Sequence, residues 1–442
     1  MKKTVAIRPA AAALVFLSLG LDSAYAVPSF ARQTGLDCAA CHTVFPELTR
    51  TGRAFKLRGY TMGGGKSKMP IPLAAMIMAD STKSSDATDM PKDSKLVIPQ
   101  ISLFYAGKIV DHLGAFVQVT YDGTELPDNK DIAHHVGMDN MDIRYADSVT
   151  LADKELIYGV TVNNNPTMSD PWNSTPVWGF PYASSAISNT PEAATLIDGG
   201  LGQTVGGIGL YVMWNDLVYA EAALYGSAKR GGIMGIFGWK NPDLEGDAAV
   251  VDGTAPYARI ALEHTFGSHD IMVGGYVMTT KMNPAVNTNT SGELDKYYDR
   301  ALDAEYQYTS GRNNITATAT RIWEDQNLDA SVAIGAADNS SNTLNTTKAK
   351  VSYYYDQTYG ATLGYFATSG STDAAKYGTY GTLTPDSEGE IAEIDYTPWQ
   401  YLKLSLQYTM YNKFDGASKN YDGAGRNASD NDNIYALAWF AF

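Results

Sequence analysis

The 442-residue sequence predicts an all-β fold, a transmembrane antiparallel β-barrel of about sixteen strands behind a short N-terminal segment. Three observations predict it. From about Pro72 onward, stretches of roughly ten residues alternate apolar and polar with period two, and no convincing amphipathic helix interrupts them. The connections between these stretches divide into short ones and long ones, as the two rims of an outer-membrane barrel require. The chain closes on a strand-like run from Ile434 to a terminal Phe442, the usual ending of a bacterial barrel protein.

The alternation gives strands at 72–81, 97–109, 112–122, 140–148, 155–163, 204–214, 217–228, 256–266, 269–280, 298–309, 313–324, 346–356, 359–368, 390–397, 400–412 and 433–442. The clearest is the stretch from Tyr401 to Tyr411. There Leu402, Leu404, Leu406, Tyr408 and Met410 share one face, while Lys403, Ser405, Gln407 and Thr409 share the other. Between Ala301 and Tyr308, Leu302, Ala304, Tyr306 and Tyr308 oppose Asp303, Glu305 and Gln307. A soluble β-sandwich also alternates, and the connections decide against it. Most even-to-odd junctions span about two to four residues, the one after the fourth strand slightly more. The others are mostly long, up to about forty residues between the fifth and sixth strands. An even strand count places both barrel ends at the short-turn, periplasmic rim. Trp323, Tyr353 to Tyr355, Trp399 and Tyr411 fall near strand ends, where interfacial girdles sit.

Upstream, Met1-Lys2-Lys3, an apolar run from Ala10 to Leu21 and Ala24-Tyr25-Ala26 read as a signal peptide over 1–26. The run is too short to span a bilayer as a helix. The formal net charge is -15, with 48 acidic against 33 basic residues, which argues against a nucleic-acid partner and for cations. Outer-membrane lipid is the partner implied by the barrel. Its predicted inward faces carry Asp142, Arg144, Glu221, Arg259, Glu263, Asp303, Glu305, Lys350, Glu393, Asp395 and Lys403, an acidic balance that favours cation entry.

Residues 27–70 form a separate segment before the barrel at 71–442. It contains Cys38-Ala39-Ala40-Cys41-His42, the C-x-x-C-H signature of covalent haem c attachment. Two thiols one turn apart can close thioethers onto one porphyrin, and the adjacent His42 can ligate the iron. A redox dithiol, half a zinc site and a disulfide are the other readings of the pair. No second C-x-x-C completes a zinc site, and no thioredoxin-type pattern surrounds it. Some forty residues cannot bury enough surface to fold alone. The segment is therefore expected to plug the periplasmic end of the lumen, which supplies the rest of the haem pocket. For the sixth iron ligand, Met62 is the first candidate and Met69 the second; His112, His134, His135, His264 and His269 are the remaining histidines.

Two loops invite functional readings. His134, His135, Asp131 and Asp139, with Asp128 nearby, form a candidate Fe(II)-binding cluster. The connection from Asn164 to Gln203, with Trp172, Trp178, Phe180 and Tyr182, is a candidate constriction of the pore.

The run from Pro28 to Gly35, the C-x-x-C-H motif, Phe45-Pro46-Glu47-Leu48-Thr49 and Gly52 to Tyr60 resembles the N-terminus of the fused monohaem cytochrome–porins of iron-oxidising bacteria. The likeness covers about 35 residues. It implies oxidation of extracellular Fe(II) by an iron:cytochrome c-type oxidoreductase in the outer membrane, with electrons passing to a periplasmic c-type cytochrome or another acceptor. By the same resemblance Cys38 and Cys41 carry the haem and His42 is its proximal ligand. Arg32, Gln33, Arg53 and Lys56 are polar positions of the shared motif, facing either the haem surroundings or the barrel wall. An electron conduit for another donor and a solute porin with a structural haem are the alternatives.

Overall fold

The computed structural model describes residues 27–64, 71–85, 96–123, 136–191, 193–227, 249–378 and 382–442. Residues 1–26, the expected signal peptide, and Met69, Asp131, His134 and His135 lie outside them.

Sixteen strands form one closed antiparallel ring. They are β1 (Leu73–Ser84), β2 (Val97–Val110), β3 (Leu113–Asp122), β4 (Val136–Leu151), β5 (Lys154–Asn163), β6 (Val205–Trp214), β7 (Val218–Ser227) and β8 (Ala255–Phe266). Then follow β9 (His269–Asn283), β10 (Asp295–Ser310), β11 (Asn313–Asn327), β12 (Ser341–Tyr355), β13 (Tyr359–Gly370), β14 (Ser387–Trp399), β15 (Leu402–Lys413) and β16 (Asn433–Ala441). A two-residue piece, Val250–Val251, extends the β8 ladder along β9. The ring closes where β1 pairs with β16, from Met76↔Ala441 to Ser84↔Asn433. Phe442 completes the seam, its N–H donating to Ala75 O at 2.9 Å and its carbonyl accepting from Ala75 N at 2.8 Å. Closure leaves no unpaired edge, the condition for placing strands in lipid.

All sixteen expected strands are present, and several run further than expected. Strands β4 and β10 to β12 continue toward the long-loop side. Above the height of a bilayer no lipid face imposes alternation, so the ladder persists where the sequence pattern fades. The turn after β4 is only Ala152-Asp153, shorter than expected, because β4 reaches Leu151. Both turn residues have positive φ, as do Asn215-Asp216 and Asp356-Gln357, the hairpin geometry that matches strand twist.

The two faces of each strand separate cleanly. On β8, Tyr257, Arg259, Ala261 and Glu263 are buried in the lumen while Ile260 and Leu262 are more than half exposed on the outside. The outer face is an apolar band with exposed aromatics beside the short turns, among them Phe266, Tyr355, Tyr359, Tyr396 and Trp399. Tyr354 and Tyr411 depart from the expected girdle, since both are buried on the lumenal side. This is a porin-like barrel whose lumen is filled rather than open at one end.

Two pieces fill it. The plug, residues 27–64, carries α1 (Pro28–Thr34), α2 (Cys38–Cys41) and α3 (Arg50–Leu57). Pro28 starts α1 at a position needing no N–H, and Gly35 ends it with φ 74. Thr49 caps α3, its Oγ1 accepting from Gly52 N at 3.3 Å. The plug sits at the short-turn rim: Arg50 pairs with Asp216 in the β6–β7 turn at 2.7 Å, and Arg58 pairs with Glu155 at the start of β5 at 2.7 Å. The second piece is the β5–β6 connection, residues 164–204, which folds into the lumen and buries Trp172 and Met168 completely.

A candidate cofactor cavity between plug, wall and inward loop

Inside the plug, Phe30, Phe55 and Tyr60 pack as a trio of rings with centroids 4.9 to 5.8 Å apart. This trio holds α1 against α3. Between them α2 presents the C-x-x-C-H motif. His42 N donates to Cys38 O at 2.9 Å, and Thr49 ties the motif to α3 by donating N–H to Cys41 O at 2.9 Å and Oγ1 to Ala40 O at 2.6 Å. Gly52 permits this contact, since a Cβ there would stand 2.3 Å from Cys41 O.

Cys38, Cys41 and His42 face one cavity. Its plug side adds Phe30, Phe45 and Phe55; its barrel side includes Met76 on β1, Phe104 on β2, Phe116 and Gln118 on β3 and Trp439 on β16; Trp178 and Tyr182 reach in from the inward loop. Most of this wall is apolar. Phe45 lies against the His42 ring, 4.4 Å between centroids, and edge-on to Trp439 at 5.1 Å. The His42 ring is half-buried by exposed area, because it faces the cavity, yet it sits deep among protein atoms. That burial pushes its pKa down to about 4, against the opposing pull of the Pro46 and Glu47 backbone. The imidazole is therefore neutral, the metal-binding form. Two thiols, a neutral imidazole and apolar walls on one cavity fit a covalently held haem.

The polar residues of the N-terminal motif divide between wall and cavity. Gln33 donates to Tyr60 O at 2.7 Å and Met62 O at 2.9 Å, and its Oε1 accepts from Lys108 N on β2 at 2.8 Å. Arg32 donates to Leu73 O. Arg53 is buried and donates to Glu263 Oε1 at 2.6 Å and Gln307 Oε1 at 3.2 Å. None of the three lines the cavity; they join plug to barrel. Lys56 does line it. Its ammonium donates to Met168 O, Asp170 O and Asn173 Oδ1 at 2.8, 2.7 and 2.6 Å and lies 4.5 Å from the Trp178 ring, so it fastens α3 to the inward loop.

Met62 is not a lining residue; its carbonyl accepts from Gln33. Met76 lines the cavity instead. Its sequence signal was its place on the inward parity of β1 with Ala74, Met78 and Asp80. Asp139 of the candidate iron cluster is hydrogen-bonded to Thr120 at 3.0 Å and Gln203 at 2.7 Å. Among the described residues no group of three or more His, Cys, Asp or Glu converges as a metal site.

The expected lumenal charges all face inward, but mostly in pairs. Arg144 holds Asp142 at 2.6 Å, Arg259 holds Asp303 at 2.7 Å, Lys403 holds Asp395 at 3.1 Å, and Lys350 holds Glu47 of the plug. The pairing gives most of these charges a structural role, while Glu221 and Glu305 meet no base in an ion pair among the described residues, so the balance stays acidic.

Neither a protein-family model nor a curated protein matches this sequence. Among solved structures, the outer membrane channel DcaP of Acinetobacter baumannii is similar at 13% identity and a TM-score of 0.45, over 86% of this chain and 99% of that chain. The anion-selective porin from Comamonas acidovorans is similar at 12% identity and a TM-score of 0.45, over 84% and 98%. A loop L8 deletion mutant of OmpT, an outer membrane protein of Vibrio cholerae, is similar at 13% identity and a TM-score of 0.43, over 84% and 98%.

Proposed function

We propose that this protein is an outer-membrane electron-transfer barrel, oxidising extracellular Fe(II) through one haem c and delivering the electron to a periplasmic c-type cytochrome. The observation that carries the reading is the convergence of Cys38, Cys41 and His42 on one apolar-walled cavity at the short-turn rim. A haem bound there supplies a one-electron couple.

The chain's own residues would do the rest. The thiols of Cys38 and Cys41 would anchor the group, and the His42 imidazole would ligate its iron. Phe30, Phe45, Phe55 and Trp439 would keep water from a group held in this cavity, which would raise the weight of every charge nearby. Arg53, Gln33 and Tyr60 lock the plug in register with the wall. The short-turn rim faces the periplasm in such barrels, so the cavity is within reach of a soluble acceptor. Each Fe(II) gives one electron and leaves as Fe(III). The choice of iron as donor rests on the resemblance of residues 28–60 to iron-oxidising cytochrome–porins.

Stopped-flow spectroscopy of oxidised holoprotein mixed with Fe(II) tests this. The reduced α-band should grow rapidly, and a C38A variant should show no such change. Reduction by dithionite but not by Fe(II) would remove iron as the donor.

A second reading, a solute porin with a structural haem, is favoured by the porin-like sixteen-strand architecture itself. Planar-bilayer conductance separates the two. A wide channel unchanged by loss of haem supports the solute pore; a closed barrel supports electron transfer.

A further inference from the structure

We infer that Met76, on the barrel wall, supplies the second axial ligand to the haem iron; the inference rests on the reading that Cys38, Cys41 and His42 hold a haem. The cavity has two sides. His42 lies on the plug side, so a second ligand must come from the opposing wall or the inward loop. Among the described lining residues, apart from the C-x-x-C-H motif, the side chains with nitrogen or sulfur are Lys56, Gln118, Asn173, Trp178, Trp439 and Met76. Five of these are unsuited. Lys56 is taken by three acceptors. The Gln118 amide donates to Ser102 and Thr120, and the Asn173 amide donates to Pro46 O while its oxygen accepts from Lys56. An indole nitrogen has no lone pair outside its ring system. Met76 remains, and a thioether is a regular partner of histidine in c-type sites.

Its placement agrees. Met76 faces the lumen from β1, only 6% exposed, with Phe104, Trp439 and Phe45 in the same apolar cluster. It is paired in register with Ser102 and Ala441, so the seam that closes the barrel fixes its backbone. The described histidines lie elsewhere: His112 in the β2–β3 turn, His264 and His269 flanking the β8–β9 turn, where both stack on Phe266. The consequence is structural. The cytochrome segment would carry half of the iron's axial set and the barrel the other half, so a complete site would exist only once the plug is seated.

The test uses full-length holoprotein, with M76A and M76H and the neighbouring inward-facing M78A as control. Intact mass reports covalent haem. The ferric spectrum reports the weak red sulfur-to-iron charge-transfer band, and potentiometry reports the midpoint. M76A should lose the band and fall in potential. M76H should remain low-spin, lose the band and fall in potential, since histidine lowers it relative to methionine. M78A should match the parent. A haem-loaded parent without the band, or an M76A protein that keeps band and potential, would overturn the inference while leaving haem attachment intact. Absence of covalent haem in the parent protein would instead remove the underlying reading, and the inference with it.

Discussion

Arg53 of the plug and Glu263 of β8 form a buried ion pair at 2.6 Å across 210 residues of sequence. Asp270 adds a second carboxylate 3.4 Å from the same guanidinium, and Leu48 O and Gln307 take its other face. One side chain thereby ties α3, the motif-bearing loop and three strands together.

Replacing Arg53 should therefore release the plug. An Arg53→Met substitution strands Glu263 in the lumen, and breaking a buried pair from one side costs about 3–5 kcal/mol. The barrel ladder is untouched, so the barrel should still fold. Limited proteolysis of folded protein should cleave residues 27–64 far faster than in the parent. Adding Glu263→Gln should recover part of the protection, and no recovery would mean that the pair does not carry the docking.

Tyr60→Phe tests the second anchor. The Tyr60 hydroxyl donates to Asp142 Oδ2 at 2.6 Å, and Asp142 also accepts from Arg144 Nε at 2.6 Å and Thr161 Oγ1 at 2.7 Å. A hydrogen bond to a charged acceptor contributes about 1.5–3 kcal/mol. Because Asp142 keeps two partners, the loss should fall at the low end. Hydrogen exchange of residues 50–64 should accelerate by roughly tenfold, with the β4 and β5 amides unchanged.

Gly52→Ala should separate haem loading from barrel folding. The added Cβ would meet the Cys41 carbonyl at 2.3 Å and Leu48 Cδ2 at 2.9 Å. A flexible side chain can yield, but a backbone carbonyl in a hydrogen-bonded turn cannot do so without moving α2. Covalent haem per barrel should drop several-fold while the heat-modifiable shift of the folded barrel on gels persists. Full haem loading would show that the α2–α3 contact is not needed for attachment.

The strands were legible because lipid makes one face of each unmistakable, as Leu302 against Asp303 shows. The plug contacts were not. Nothing in the spacing of Arg53 and Glu263 announces a pair that only barrel closure creates. Tyrosine is ambiguous for a similar reason: Tyr354 and Tyr355 are adjacent, one lumenal and one interfacial, and the residue type suits both. The C-x-x-C-H motif was legible because its chemistry is local. The other wall of its cavity comes from β1, β2, β3, β16 and the inward loop, which no local pattern assembles.

Lys56 gives the docking of the inward loop a pH dependence. Burial pushes its pKa down to about 7, against the attraction of Asp142, Asp170 and Glu221. An unfolded lysine titrates near 10.5. Between these values the unfolded chain binds more protons than the folded one, so stability from this group rises with pH across that window and falls toward neutrality. In Lys56→Met this contribution to the slope should vanish, and three acceptors lose their donor. Chemical denaturation at a series of pH values above 7 should show stability rising more steeply with pH in the parent than in the variant.

Deletion of residues 27–64 should open the pore. The plug fills the short-turn end, while the inward loop relies on it: Trp172 O accepts from Leu48 N at 3.1 Å, Asn173 donates to Pro46 O at 3.1 Å, and Lys56 holds the loop's carbonyls. Removing the plug therefore frees both obstructions at once, and a sixteen-strand barrel is wide enough to leave an aqueous channel. The deletion also strips Glu263 and Lys350 of their counter-charges, Arg53 and Glu47, so one carboxylate and one ammonium are left bare in the opened lumen. Single-channel recordings should show large, stable steps in the deletion and small or no steps in the parent. Equal conductance in both would mean that solutes pass beside the plug, and the lumen would then be a diffusion path in the intact protein.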